Sequence, residues 1–306
     1  MAPGLDAPAG GTGRPLIEEA ASGRVISADG TPIAWFRSGD GSPLVLVHGT
    51  TADHTTFRVV GPLFARRHAV FAIDRRGRGA SGDTPPYAIE REFEDVVAVV
   101  EAVAALTGAP VDVLGHSYGG RCALGGAANT AAIRRLVLYE SAPAPPGMMF
   151  ERAEVVRRLR ELEAAGDGVG VLRTFLTQVV GLTEQEWAAF QSSPVWPARL
   201  SAMDTVVREL TAETGRDDSA DLLAIARRVR QPVLQLLGGD SGPIFRRGTR
   251  ALAAVLPGGV VVELPGQKHA AHHGDPDRFT LEVERFLADP GAKPGSLARG
   301  GLPSAP

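Results

Sequence analysis

Ser117 stands in Gly115-His116-Ser117-Tyr118-Gly119, a G-x-S-x-G pentapeptide with the β-branched run VDVL before it and the helix-compatible RCALGGAA after it. A strand that turns sharply into a helix would carry this serine at its apex. Small flanking residues are then required because the two backbones nearly touch, and the hydroxyl projects into a cleft. The first helical N–H groups would point at any negative charge developing there, with the helix dipole adding to the field. A serine hydroxyl is a weak nucleophile at neutral pH, so such a site needs a general base and an acid that orients it.

The chain offers seven histidines: His48, His54, His68, His116, His269, His272 and His273. The order serine, acid, histidine favours one that follows the last strand, within LPGQKHAAHH. His269 lies at loop distance from that strand and is the expected base, with His272 in reserve. His272 and His273 lie nearer the final helical stretch and read as its solvated approach. Two carboxylates could orient the imidazole. Glu140 ends the strand-like IRRLVLYE, where a charge after a buried run needs a reason, and Asp240 follows PVLQLLGG in a Gly-Asp-Ser-Gly turn that favours aspartate anyway. For the oxyanion, the expected donors are the backbone N–H groups of Tyr118 and of Thr50 in VHGTT.

The elements that would hold these residues follow from periodicity. Runs at 43–49, 68–74, 111–117, 133–140, 232–239 and 259–266 are apolar and β-branched, which suits strands buried on both faces of a mostly parallel sheet. GRVISADGTPIAWFRSG reads as a hairpin turning at Asp29-Gly30. Residues 87–106 place apolar side chains at helical spacing and stop at Gly108. Strands alternating with helices imply right-handed crossovers, with helices on both faces of the sheet. The alternation breaks over 141–230, which is helical throughout and is expected to form a lid above the carboxyl ends of the strands, where open α/β sheets bind ligands. The core would then comprise 23–140 and 231–288, with Gly-, Pro- and Ala-rich mobile tails at 1–22 and 289–306. Within the lid, Phe175, Trp187, Trp196 and Met203 are the candidates to touch an apolar or aromatic substrate.

Composition bounds the function classes. A hydrophobic share of 44%, a charged share of 22% and a net charge of −3 describe an ordinary soluble globular protein and not a polyanion binder, and no apolar run approaches the length of a membrane span, so neither nucleic acid nor a membrane is an expected partner. The basic DRRGRG at 74–79 lacks interleaved aromatics. Cys122 is the one cysteine, which excludes an internal disulfide and a cysteine-built metal site and leaves it a small core residue. The first residues carry neither a basic nor an apolar leader segment, so a cytoplasmic enzyme is expected, with no cofactor or metal and a small molecule as its partner.

The set VHGTT, DRRGRGASG, GHSYGG, LVLYE, LLGGD and LPGQKH, followed by DPDRFTLEVERFL, resembles the α/β-hydrolase superfamily over about residues 23–288. The resemblance implies the α/β-hydrolase fold and a serine, histidine and acid triad. Relatives with the acid after the penultimate strand show it in G-x-x-D, and counting from Gly238 arrives at Ser241 instead. The pattern is closer to zearalenone-type lactonases and some haloalkane dehalogenases, which carry a glutamate after the strand that follows the nucleophile helix; this resemblance favours Glu140. Haloalkane dehalogenases and classical epoxide hydrolases use an aspartate nucleophile, which Ser117 is not. The implied activity is hydrolysis of a carboxylic ester or lactone of an apolar small molecule through an acyl-enzyme. C–C bond hydrolysis, a non-hydrolytic lyase, cyclase or cofactor-free oxygenase, and a ligand-sensing receptor with a vestigial triad are the alternatives on the same scaffold.

Overall fold

A computed structural model of the chain describes residues 21–141, 149–212 and 218–289. The tails expected over 1–22 and 289–306 therefore lie, apart from Ser22, Ala21 and Asp289, outside the described residues. Eight strands form one sheet: β1 Gly23–Ile26, β2 Pro32–Ser38, β3 Ser42–Val47, β4 His68–Ile73, β5 Val111–His116, β6 Ile133–Tyr139, β7 Val233–Gly238 and β8 Val260–Leu264. Their order is β1-β2-β4-β3-β5-β6-β7-β8. The pairs β1–β2 and β2–β4 are antiparallel and the rest are parallel. The expected hairpin is β1–β2.

Alternation along the central strands sends side chains to two cores. Val45, Val47, Val113, Leu136 and Leu138 face the helices Ile89–Thr107 and Tyr118–Ala127, which contribute Phe93, Val96, Val100 and Cys122. Leu44, Leu46, Leu114, Val137 and Leu236 face the other side, where helix Pro276–Ala288 brings Phe279, Val283 and Phe286. Because both faces are covered, the strands read as nearly continuous apolar runs. The exception is β8, expected to be buried on both faces: it is an edge strand, and its Val261 is 40% exposed.

Between β6 and β7 the described residues are helical, as expected. Val156, Leu159, Leu172, Trp187 and Val206 give this insertion a core of its own. Its last helix, Asp218–Ala226, departs from the expectation. Leu222 and Ala226 join the sheet's first core, so the helix covers the sheet, and the segment that stands away from it ends earlier than 230. Helical periodicity showed a helix there without showing which core its apolar face would enter.

The DRRGRG stretch is not a surface patch. Arg75, Arg76 and Arg78 are all buried directly after β4. The Arg75 guanidinium donates to Glu92 at 2.9 and 2.6 Å and to Glu209 at 2.7 Å. Arg78 also donates to Glu209, and Arg76 holds Asp95 twice at 2.7 Å. Burial alone would raise the Glu92 carboxyl, but the charges of Arg75 and Arg78 outweigh it and hold it at about 2. Glu209 lies on helix Asp204–Ala212, so this network ties the insertion to the body of the protein. Among the described residues, no helix is long and apolar enough to cross a membrane.

Removing one partner of a buried ion cluster leaves uncompensated charge in a low dielectric, at a cost of about 3–5 kcal/mol. Glu209→Gln is expected to lose stability of that order in urea unfolding. Unchanged stability would mean that the cluster does not hold the insertion in place.

Candidate active site

β5 ends at His116, and helix Tyr118–Ala127 begins one residue after Ser117. Ser117 itself takes φ 54° and ψ −126°, a conformation that L residues rarely adopt. The approach of strand to helix leaves no room for side chains around it. A Cβ on Gly115 would run into the backbone of Gly120, and one on Gly119 into the carbonyl of His48. The described non-glycine residues with positive φ are Thr51, Ser117 and Glu140. All belong to this site, which is where strained backbone is expected to concentrate.

Glu140 follows β6 with φ 47° and a side chain that is fully buried. The Gly238 N–H donates to its Oε1 at 2.7 Å, and His269 Nδ1 donates to its Oε2 at 2.6 Å. Because a carboxylate only accepts, that contact places a proton on Nδ1. Asp240, the alternative acid, is exposed; its backbone N–H bonds the Gln267 carbonyl, and its carboxylate does not meet His269. Of the two carboxylates, the structure brings Glu140 to the imidazole.

Ser117 and His269 line one cavity of about 400 Å³, together with Gly49, Thr50 and Thr51. Gly49 packs over the serine: a Cβ there would stand 2.9 Å from the Ser117 Cβ. The Tyr118 N–H is the first of its helix and so has no intrahelical acceptor. Thr50 is half-buried at the cavity wall. The opposite wall comes from the insertion, through Phe175, Leu176, Val180, Leu182, Phe190 and Val195. Phe175 thus lies where a substrate contact was expected. Trp187, Trp196 and Met203 do not line the cavity; they pack within the insertion, Trp187 edge-on to Trp196 at 5.6 Å between ring centroids. An aromatic on an amphipathic helix can face either way, and residue type did not reveal which.

Sequence reasoning missed the supports of the imidazole. The Tyr139 hydroxyl donates to the Lys268 carbonyl and accepts the Ala271 N–H at 2.9 Å, so one phenol clamps the loop on both sides of His269. Phe245 stacks on the His269 ring at 4.4 Å between centroids. His116 Nε2 donates to the His269 carbonyl at 3.0 Å. Tyr139 precedes Glu140 directly, and that adjacency was the one available signal. His272, expected in a solvated approach, is instead 2% exposed, packed against the rings of His116 and Phe279.

The histidines around the site are held neutral. Burial pushes His48, His116 and His272 well below the ordinary imidazole range, with further depression from Arg75 and Arg78 at His48, from His269 at His116, and from His116 at His272. His273 is pushed down to about 4 by burial and then by Arg58 and Arg199. His48 shows the geometric reason: its Nδ1 donates to the Gly49 carbonyl at 2.9 Å, while its Nε2 accepts the Arg75 N–H at 3.0 Å, which a protonated ring could not do.

Comparison with known proteins decides the family. A model described as the alpha/beta hydrolase family matches residues 44–282. The chain belongs to this family. A solved α/β hydrolase from Sphaerobacter thermophilus is 33% identical with a TM-score of 0.73, covering 87% of this chain and 100% of that one. The N-formylmaleamate deformylase of Pseudomonas putida is 25% identical over 88% of this chain and 97% of its own length. The pimeloyl-[acyl-carrier protein] methyl ester esterase of Aliivibrio salmonicida is 24% identical over 84% of this chain and 96% of its own. The eight-stranded, mostly parallel sheet with helices on both faces is the α/β-hydrolase fold.

Histidines held neutral in the native state make its stability sensitive to acid. Above pH of about 6.5 both states are neutral and nothing is lost; below it the unfolded chain takes protons that the native state refuses, so stability falls as pH falls. Between pH 7.5 and 5.5 each of His48, His116, His272 and His273 should subtract about 1.4 kcal/mol from the unfolding free energy. His272→Phe should remove one such share from the pH dependence. Equal stability at the two pH values would contradict neutral burial.

Proposed function

We propose that this α/β hydrolase is a serine hydrolase that cleaves a carboxylic ester or lactone through an acyl-enzyme, with Ser117, His269 and Glu140 as its triad. The observation that carries the reading is the 2.6 Å contact of His269 Nδ1 with buried Glu140, on an imidazole that shares a cavity with a serine at a strained strand-to-helix turn.

In this mechanism the Ser117 hydroxyl attacks the substrate carbonyl while His269 Nε2 takes its proton. Glu140 keeps the ring in the Nδ1–H tautomer and stabilises the imidazolium that forms. The N–H groups of Thr50 and Tyr118 receive the oxyanion. Collapse of the tetrahedral intermediate breaks the C–O bond, and His269 gives its proton to the departing alkoxide. Water then attacks the acyl-serine, its proton passing to His269, and the released Ser117 oxygen recovers a proton from the imidazolium. A helical lid formed by the insertion would shield these steps from bulk water, with Phe175 and its apolar neighbours against the acyl chain. The deformylase and esterase relatives support an acyl-transfer chemistry that serves both N-formyl and ester bonds.

Ser117→Ala should lower kcat/KM for an activated ester by at least about 10³-fold. Glu140→Gln should lower it by about 10³–10⁴-fold with the fold intact by circular dichroism, whereas Asp240→Asn should leave it nearly unchanged. Full activity in Ser117→Ala, or the reverse ranking of the two acid variants, would overturn the assignment.

A further inference from the structure

Four arginines among the described residues are buried: Arg75, Arg76, Arg78 and Arg199. The first three each meet carboxylates at ion-pair distance. Arg199 does not. It lies on helix Trp196–Ser201 of the insertion, is 8% exposed and lines the cavity that holds Ser117 and His269. The one hydrogen-bond partner of its side chain among the described residues is the neutral hydroxyl of Thr56, 3.0 Å from Nη2. Half-buried Arg58 lines the same cavity, and among the described residues its guanidinium donates to the Thr55 carbonyl alone, at 3.4 Å. The cavity's third cation, Lys268, is already met by Glu186 at 3.0 Å on the rim.

A buried guanidinium is costly to desolvate and is ordinarily retained because an anion meets it. Burial lowers Arg199 to about 10, partly offset by the more distant charge of Asp53 and reinforced by Arg58, so the group stays cationic at neutral pH. The insertion also brings an apolar stretch of wall, from Phe175, Leu176, Val180 and Phe190. We propose that Arg199, with Arg58 beside it, binds a carboxylate on the substrate, so that the acyl compound hydrolysed at Ser117 has an apolar body and an anionic tip. A planar guanidinium matches a carboxylate through two parallel N–H···O bonds, which would orient the substrate as well as hold it. This inference rests on the serine-hydrolase reading of the same cavity and adds a charged group to the apolar substrate expected from the sequence.

The test compares two activated esters of similar length that differ in charge at the tip, 4-nitrophenyl hydrogen glutarate and 4-nitrophenyl hexanoate, each corrected for spontaneous hydrolysis. The wild type should favour the glutarate in kcat/KM. Arg199→Met should cut the glutarate-to-hexanoate ratio by at least about 30-fold, whatever the absolute turnover, since losing one partner of a buried charge pair costs about 2 kcal/mol or more. Arg199→Lys, which keeps the charge and loses the fork, should fall between. A wild type that favours hexanoate, or a ratio unchanged in both variants, overturns the proposal. Calorimetric binding of pentanoate, which has no bond to hydrolyse, to the intact protein tests it without turnover: binding weakened in Arg199→Met supports it, and equal binding or tighter binding of propyl phosphate overturns the carboxylate assignment. Failure of the serine reading shows separately, as ester turnover that survives Ser117→Ala.

Discussion

The site is organised around a carboxylate placed where water cannot reach it. Glu140 is fully buried and accepts from the Gly238 N–H and from His269 Nδ1. To reach both, its backbone adopts φ 47°, which costs on the order of 1–3 kcal/mol for a non-glycine residue. That cost is borne by the sheet: β6 and β7 pair in parallel around it, and the Glu140 N–H continues their ladder to the Leu236 carbonyl. An imidazole held at a desolvated carboxylate has one tautomer and one orientation. Proton transfer at Nε2 therefore requires little rearrangement of the protein.

The same economy of placement extends outward. Tyr139, next in the chain, clamps the loop that brings His269 from beyond β8, and Phe245 and His116 confine the ring from its sides. His48, directly after β3, links that strand to Arg75, whose guanidinium lies 4.8 Å from the Tyr118 ring centroid and reaches across to Glu209 of the insertion. A single buried ion cluster thus connects the helical insertion, the helix that starts at Ile89 and the loop after β3 that packs against Ser117. The insertion is joined to the catalytic layer by charge as well as by apolar packing, and it carries Arg199 into the cavity.

Much of this was legible beforehand because it is written locally. Ser117 stands out through glycines whose spacing is demanded by the close approach of strand and helix, and the strands through runs buried on both faces. His269 followed from chain order. What escaped depends on contacts between distant residues. Glu140 and Asp240 both follow strands; the family resemblance favoured Glu140, and the contact with His269 is what separates the two in the folded chain. The carboxylates that the arginines of DRRGRG meet lie 14 to 134 residues away, so its charges read as a basic stretch and not as a buried network. Trp187, Trp196 and Met203 were misplaced because a helical segment declares its apolar residues without declaring which of them will face a cavity. Arg199 was invisible for a related reason: its interest lies in the missing carboxylate, which only the folded chain reveals.

The most direct measurement is the second-order rate at which a fluorophosphonate modifies Ser117, followed by intact mass, because it reports the nucleophilicity of the hydroxyl without reference to any substrate. A serine activated by an imidazole held at Glu140 should be modified once per chain, at Ser117, with the rate falling by orders of magnitude in both His269→Ala and Glu140→Gln. Modification at an unchanged rate in those two variants, or no modification of the folded wild type, would contradict the coupling of these three residues.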